Sequence, residues 1–166
     1  MGKGFRLSAK EKHFLFYFTI IFLSIFGLLK LAEPQPVNLF VAQLQEQLLS
    51  RAGFGVLRDG TTLLLNGAAF QIVIDCSGLV MMTLFFALLY STKTRISPPR
   101  LLAYFAFFFA FNLLRLAFTI AVGAEYGEGA LEIVHPVLWF VDAGVVFTCW
   151  AKEYGLFKGF KARQKI

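Results

Sequence analysis

A cysteine beside an apolar segment of this sequence is the first candidate for chemistry. Cys76 lies in the stretch Ile74-Asp75-Cys76-Ser77-Gly78, directly before the apolar run of residues 79–89. A cysteine in the first turn of a membrane helix is close to the positive end of the helix dipole, which favours the thiolate. Cys76 is therefore a candidate nucleophile. Free cysteine is also a common small apolar residue of buried positions, so packing is the alternative.

Two ionisable residues lie in other apolar segments. Arg115 is inside residues 101–122, and His135 opens the last segment, 136–151, with Pro136 suited to a first helical turn. Such residues are costly in a membrane and by default indicate function. Two helix faces carry the polar side chains: Asn112, Arg115 and Thr119 on one, and His135, Trp139, Asp142 and Cys149 on the other.

Cysteine, histidine and a fixed cation in one pocket can perform acyl transfer through a thioester. They supply a nucleophile, a proton carrier, and a group that stabilises an oxyanion or a substrate carboxylate. Asp142 offers another explanation for Arg115, because an ion pair between them would lock two helices. That pair is compatible with catalysis if the guanidinium also faces outward. Cys149, more than about 20 Å along the helix from His135, is expected to serve packing.

The composition indicates an integral membrane protein. Hydrophobic residues make up 58% of the 166-residue chain, which contains 21 Phe and only 16% charged residues. The net charge of +6 does not indicate nucleic-acid binding, because the basic residues fall between apolar runs instead of gathering on one folded face. The two cysteines form no CxxC, zinc spacing or evident disulfide framework, so we predict no metal and no cofactor.

The apolar runs predict an all-α, single-domain bundle of four transmembrane helices, at residues 14–31, 76–90, 101–122 and 136–151. The first resembles a signal peptide, but its length and the lack of a clear cleavage site favour an uncleaved span. Lys and Arg number four in residues 1–13, three in 91–100 and five in 151–166, so 12 of the 16 share one side. That side is predicted to be the cytoplasm, with both termini inside and Cys76 at the outer face of the cytoplasmic membrane.

Residues 32–75 are predicted to form an extracytoplasmic cap. Glu33-Pro34-Gln35-Pro36 should end the first helix in an extended connection, after which Asn38 could cap a short helix. Val37, Phe40 or Val41, Leu44 and Leu48 recur at helical spacing opposite Gln43, Gln45, Glu46 and Gln47. This pattern is typical of an interfacial helix, or of ordinary packing. Asp59-Gly60 and Asn66-Gly67 then predict the turns of a three-stranded meander over residues 54–74.

Three short motifs, in this order and on one membrane face, resemble a known family. Asp75-Cys76-Ser77-Gly78, Asn112-Leu113-Leu114-Arg115 and His135 look like the Cys, Asn-x-x-Arg and His signatures of the exosortase/archaeosortase superfamily, over residues 67–150. The resemblance implies a membrane-embedded cysteine transpeptidase. Such an enzyme recognises a C-terminal sorting signal, made of a short motif, a transmembrane helix and a basic cluster, and replaces that tail with an anchor.

The resemblance also implies roles for individual residues. Cys76 would be the nucleophile, Arg115 the essential arginine and His135 the acid/base. Four further residues are expected in support: Asp75, Ser77, Asn112 and Asp142. Two features differ from the family pattern. Many members have more than four spans, so this chain is similar to the short, exosortase H-like form. Asp75 also places a carboxylate beside the thiol, which would raise the thiol pKa unless Arg115 or His135 offsets it.

The implied partners are membrane-anchored substrate proteins that carry the sorting tail, a lipid or other acceptor, and the bilayer itself. A non-catalytic four-span scaffold or assembly factor, held together by Arg115 and Asp142, is the alternative. A thiol oxidoreductase is disfavoured because the sequence has no CxxC and no second cysteine at the outer face.

Overall fold

The computed structural model of the protein describes residues 8–156. Within them the elements follow in the order α1 (Ala9–Ala32), α2 (Gln35–Arg51), β1 (Val56–Asp59), β2 (Thr62–Leu65), β3 (Ala68–Gln71), a 3-10 turn (Ile74–Cys76), α3 (Leu79–Ser91), α4 (Pro98–Tyr126) and α5 (Glu128–Tyr154). The mostly helical membrane architecture is confirmed. Six basic residues counted for orientation lie outside the described residues: Lys3, Arg6, Lys158, Lys161, Arg163 and Lys165.

Helix α1 begins at a capping box that the sequence analysis did not identify. The Ser8 hydroxyl accepts a hydrogen bond from the Glu11 backbone N–H at 3.3 Å, and the Glu11 carboxylate accepts one from the Ser8 N–H at 2.6 Å. Each side chain thereby satisfies a backbone donor that has no partner inside the helix. At 24 residues, or about 36 Å, α1 is long enough to cross a membrane.

The predicted extended connection after α1 is wrong. Only Glu33 and Pro34 separate α1 from α2, and Pro36 lies in the first turn of α2. Proline fits there because the first N–H groups of a helix have no intrahelical acceptor. Asn38 is consequently inside the helix and buried, and it does not cap it.

The packed face of α2 differs from the predicted apolar stripe. Its buried residues are Asn38, Val41, Ala42, Gln45 and Leu49. Gln45 was predicted on the polar face, but it is fully buried and its Nε2 donates to the Leu113 carbonyl of α4 at 2.9 Å. This hydrogen bond explains why an amide occupies the interface between two helices.

The predicted three-stranded sheet is present and antiparallel, in the order β1-β2-β3. Asn66 (φ 49°) and Gly67 (φ 82°) form the turn between β2 and β3, as their sequence predicts. The first turn lies one residue later than predicted, at Gly60 and Thr61. Leu63 and Leu65 of β2 are buried against α2 and α4. The sheet therefore packs on the helices through one face of its central strand.

Three helices are long and apolar enough to cross a membrane, namely α1, α4 and α5. The predicted second span corresponds to α3, whose 13 residues are fewer than the roughly 20 that a crossing usually needs. Crossing by α3 stays a prediction. Helix α3 packs along α1, with Asp75 beside Lys30 at one end and Ser91 near His13 at the other.

A single residue separates α4 from α5, so the two helices extend beyond the predicted spans 101–122 and 136–151 and nearly meet. Gly127, with φ 78° and ψ −174°, ends one helix and begins the next. That backbone conformation is open almost exclusively to glycine. Helix α5 therefore begins at Glu128, and Pro136 lies inside it, not in its first turn. Pro136 has no N–H to donate to the carbonyl four residues earlier.

Two hydrophobic clusters hold these elements together. The first joins α2, the sheet and α4, through residues that include Val41, Leu65 and Ile120. The second joins α3, α4 and α5 around Phe85 and Phe108, whose rings meet edge to face at 5.1 Å between centroids. The chemistry-bearing residues lie where these clusters adjoin.

Candidate active site

Cys76 ends the 3-10 turn that precedes α3, so the prediction that it lies in the first turn of that helix is wrong. Gly78 intervenes in the left-handed region, at φ 79°, and α3 begins only at Leu79. A Cβ at Gly78 would lie 3.2 Å from Cβ of Asn112, so the chain needs glycine here for both conformation and space. The half-buried thiol thus belongs to a tight polar turn, not to a helix.

Two side chains fix the backbone of this turn. The fully buried Ser77 hydroxyl donates to the Ile74 carbonyl at 2.6 Å and accepts from the Leu79 N–H at 3.3 Å. Asn112 of α4 donates its Nδ2 hydrogen to the Cys76 carbonyl at 2.7 Å. Cys76 is therefore held from its own segment and from a neighbouring helix.

Asp75, immediately before the cysteine, is paired with a residue that sequence reasoning did not place at the site. Lys30, near the end of α1, donates to Asp75 Oδ2 at 2.5 Å. Lys30 therefore pairs with Asp75 directly, in addition to the charge of Arg115 that was expected to offset this carboxylate. The sequence feature that could have indicated this pair is the single lysine late in the first apolar run. Because α1 and α3 pack antiparallel, that lysine lies level with the residues before α3.

Arg115 and Asp142 form the anticipated ion pair, with 3.4 Å between Nε and Oδ2. Their side chains are only 4% and 14% exposed, so water screens the pair little. The pairing leaves hydrogen-bonding capacity unused: Nε and Nη1 of Arg115 and Oδ1 of Asp142 are buried without a hydrogen-bond partner. The guanidinium can therefore accept a further ligand without leaving Asp142.

A cavity of about 140 Å³ connects several of these residues. Asp75, Asn112 and Asp142, from three different elements, all contribute to its lining, with Gly78 and Trp139. Oδ1 of Asp75 and Oδ1 of Asp142 are both buried and unpartnered. The residues that line the cavity thus include two carboxylates that each have one oxygen without a hydrogen-bond partner.

His135 is less closely connected to the site than Asn112, Arg115 and Asp142 are. It is the eighth residue of α5, half-buried, with its ring 6.1 Å from that of Trp139. It precedes Asp142 by seven residues on the same helix. Among residues 8–156, however, the polar contacts join Asn112 to Cys76 and Arg115 to Asp142, and none includes His135.

His135 instead borders an apolar groove of about 440 Å³ with Pro136, Trp139, Phe140 and Ala143. Phe140 is 81% exposed on the surface that would face lipid or another helix. An imidazole at the rim of such a groove is accessible to a molecule that enters from the membrane. Cys149, farther along α5, packs against the second hydrophobic cluster.

Burial raises the pKa of the Cys76 thiol. The backbone of Val73 and the charges of Arg115 and Lys30 act in the opposite direction, while Asp75 adds to the rise. The net direction is upward, so the resting thiol is protonated at neutral pH and needs a base to become nucleophilic.

A family model of transmembrane exosortases matches residues 4–151. The chain belongs to the transmembrane exosortase family. The matched part contains Cys76, Arg115 and His135, and with the apolar helices it identifies this exosortase as a multi-pass membrane protein. No curated protein and no solved structure gives a match.

Proposed function

We propose that this exosortase is a membrane-embedded cysteine transpeptidase. It would recognise a C-terminal sorting signal on a membrane-anchored protein, cleave it through a thioester on Cys76, and transfer the protein to a lipid or other acceptor. The observation that carries the proposal is the Cys76 turn. Asn112, Ser77 and Gly78 hold that turn beside a buried arginine that retains unused donors.

The proposed reaction begins with activation of the thiol. Because burial raises the thiol pKa, His135 takes the proton as sulfur attacks the substrate carbonyl carbon. The tetrahedral intermediate then breaks its C–N bond. The proton on His135 passes to the leaving amine, and the substrate stays bound to Cys76 as a thioester. An acceptor nucleophile attacks this thioester, forms the new acyl bond and returns the thiol.

Arg115 would stabilise charge, because a guanidinium stays protonated and cannot carry a proton in this reaction. Its Nε faces Asp142, whereas Nη1 is buried without a hydrogen-bond partner, which suits an oxyanion or a substrate carboxylate. Asp142 would hold the guanidinium in place. Closure of His135 toward Cys76 would accompany substrate binding, since catalytic hydrogen bonds often form only in the complex.

The proposed setting is the cytoplasmic membrane, with four spans, both termini in the cytoplasm and the Cys76 turn facing outward. Lys30, Asp75 and the sheet all lie at the same end of the bundle as this turn. Substrates would approach through the membrane, because the sorting tail contains a transmembrane helix.

The test is the mass of a substrate protein in cells that express each variant. Its cognate tail is to be sought among proteins encoded in the same genome. Cys76→Ala should leave the tail uncleaved, and Cys76→Ser should be nearly as inactive, because an alcohol is a far weaker nucleophile near neutral pH. Arg115→Lys should also leave the tail uncleaved if the site needs two N–H donors of one guanidinium at once. Cys149→Ala is the matched control and should cleave normally.

The Arg115 to Asp142 ion pair also favours a second candidate, a non-catalytic scaffold in which the pair only locks α4 to α5. The same measurement separates the two. Normal tail removal by Cys76→Ala would end the transpeptidase proposal and favour the scaffold. Loss of cleavage in Cys76→Ala, with unchanged expression and folding, would exclude the scaffold.

A further inference from the structure

The end of the bundle opposite the Cys76 turn contains two adjoining cavities. One, of about 700 Å³, lies where α1 begins and α3 and α5 end, and Lys10, His13 and Trp150 contribute to its lining. The other, of about 520 Å³, is lined in part by Tyr17 and Arg95. His13, Ser91 and Lys93 border both, so Lys93 lies between the two cavities.

Lys93 occupies a backbone conformation that lysine rarely adopts. Its φ is 53°, at the residue that ends the hydrogen-bonded turn after α3. The Lys93 N–H donates to the Tyr90 carbonyl at 3.0 Å, and the Thr94 N–H donates to the Leu89 carbonyl at 2.9 Å. Glycine is the usual residue at this position of a helix C-terminus, because a side chain there is strained. Strain of this kind often accompanies function.

The ammonium group of Lys93 is free to bind a ligand. In the part of the chain that the structure describes, Lys93 forms no ion pair. The acidic residue at the larger cavity, Glu11, has its carboxylate engaged by the Ser8 N–H. Lys10, Lys93 and Arg95 therefore outnumber the one carboxylate around the two cavities.

The walls of the larger cavity are fixed by packing and hydrogen bonds. Trp150 Nε1 donates to the Thr92 hydroxyl at 3.2 Å, and that hydroxyl donates to the Leu88 carbonyl at 2.7 Å. Trp150 also stacks on Tyr154, with 5.2 Å between ring centroids. Tryptophan and tyrosine are enriched where membrane meets water.

The depth of this site matches lipid headgroups. Helix α1 has 24 residues, about 36 Å, whereas the hydrocarbon core is about 30 Å thick. Its first residues, which include Lys10 and His13, are polar and precede the apolar run that starts at Phe14, so we expect them at headgroup level. A site that joins basic side chains, hydroxyls and interfacial aromatic rings between membrane helices fits a lipid with an anionic headgroup.

We propose that the two cavities bind the phosphate headgroup of an anionic phospholipid, with Lys93 as the central contact. The acyl chains lie along the apolar surfaces of α1 and α3, and Trp150 and Tyr154 border the headgroup. The site is separate from the Cys76 turn, and it does not depend on which side of the membrane this end faces.

The test is native mass spectrometry of the purified full-length protein in neutral detergent, titrated with phosphatidylglycerol or phosphatidylcholine. The wild type should retain phosphatidylglycerol preferentially. Lys93→Gly should bind it about fivefold more weakly, the factor expected for one basic residue near an anionic lipid. It should melt no earlier than the wild type in the absence of lipid, because glycine relieves the strained φ. Lys93→Asn, neutral and tolerant of the left-handed region, is the second variant.

Two controls and one competitor complete the experiment. Lys93→Arg should retain the lipid, and Arg51→Gln, which removes an exposed charge from the end of α2, should change nothing. Soluble glycerol phosphate should not compete at the same concentration. Equal lipid binding by wild type, Lys93→Gly and Lys93→Asn would overturn the proposal. Equal loss in Arg51→Gln would attribute the binding to net charge, and full competition by glycerol phosphate would make the site one for a soluble anion.

Discussion

The two ends of the helix bundle differ in whether their buried polar atoms have hydrogen-bond partners. At the Cys76 end, formed by α2, the sheet, the 3-10 turn and the adjoining parts of α4 and α5, five side chains keep buried polar atoms without hydrogen bonds: Asn38, Gln45, Asp75, Arg115 and Asp142. At the Lys93 end, formed by the end of α3, the start of α4 and the end of α5, none of the described residues has such an atom.

The hydrogen bonds of the Lys93 end show how its polar side chains find partners. Glu153 accepts from the Tyr104 hydroxyl at 2.8 Å and from Arg100 Nη1 at 3.2 Å, and the Ser91 hydroxyl donates to the Ala87 carbonyl at 2.6 Å. Buried polar groups in proteins are normally paired. The unpaired ones are concentrated at the Cys76 end, whereas polar side chains of the Lys93 end hydrogen-bond to one another and to backbone carbonyls.

The largest expected contrast between the two ends is their accessibility from outside the cell. In a variant without Cys76 and Cys149, a cysteine at Gln47, exposed on α2, should react with an impermeant maleimide in spheroplasts. A cysteine at Ser97, exposed just before α4, should react only after the membrane is permeabilised. Gln45, buried against Leu113, is unsuitable as a probe. Labelling of the Ser97 position alone would reverse the topology and place the Cys76 turn inside.

A second contrast concerns the ion pairs of the two ends. Asp142→Asn leaves the Arg115 charge buried and uncompensated, so it should lower the free energy of unfolding in detergent by about 3–5 kcal/mol. Glu153→Gln is the matched control. Arg100, its partner, is 62% exposed, so the loss should be no more than about 1 kcal/mol.

A double variant sharpens the interpretation of that pair. Arg115→Met with Asp142→Leu removes both charges and should recover most of the stability lost in Asp142→Asn, because apolar replacements avoid desolvation of two ions. It should nevertheless be inactive. A stable Asp142→Asn protein would mean that water, Asn112 or substrate supports Arg115 instead.

The smallest expected effect is on thiol reactivity. Because the folded pKa of Cys76 is raised, the thiolate fraction at neutral pH is lower than that of a free thiol. The rate of alkylation in a Cys149→Ala background should therefore keep rising beyond the ordinary thiol pKa of about 8.5. Lys30→Met should move the profile to still higher pH, since the Asp75 charge is then unopposed. A profile that levels off near pH 7 would contradict the direction of the shift.

The helical segments and the Arg115 to Asp142 pair could be predicted because they depend on local pattern and on depth along a helix. Apolar runs located α1, α4 and α5, and the seven-residue offset of Asp142 from His135 matched the level of Arg115. The Asn66-Gly67 turn followed from the backbone preference of its two residues.

Two of the errors originate in tertiary contacts, and a third originates in the backbone conformation of one glycine. Lys30 lies far from Asp75 in sequence, and only the antiparallel packing of α1 on α3 joins them. Gln45 looked polar and exposed, but the Leu113 carbonyl gives it a buried partner. Pro136 was taken as a helix start, yet Gly127 had already turned the chain into α5.

The position of Gly127 determines how α4 and α5 are rotated relative to each other. It is the only residue between two helices of 29 and 27 residues. The rotation of α5 about its own axis is therefore fixed relative to α4. Each residue of an α-helix turns the chain by about 100°, so one residue inserted into the first turn of α5 would rotate the rest of that helix by that angle relative to Gly127 and α4. Asp142 would then face away from Arg115, and His135, on the same helix, would rotate by the same angle. A single glycine thus sets the angular alignment of the two helices that carry the arginine and the histidine.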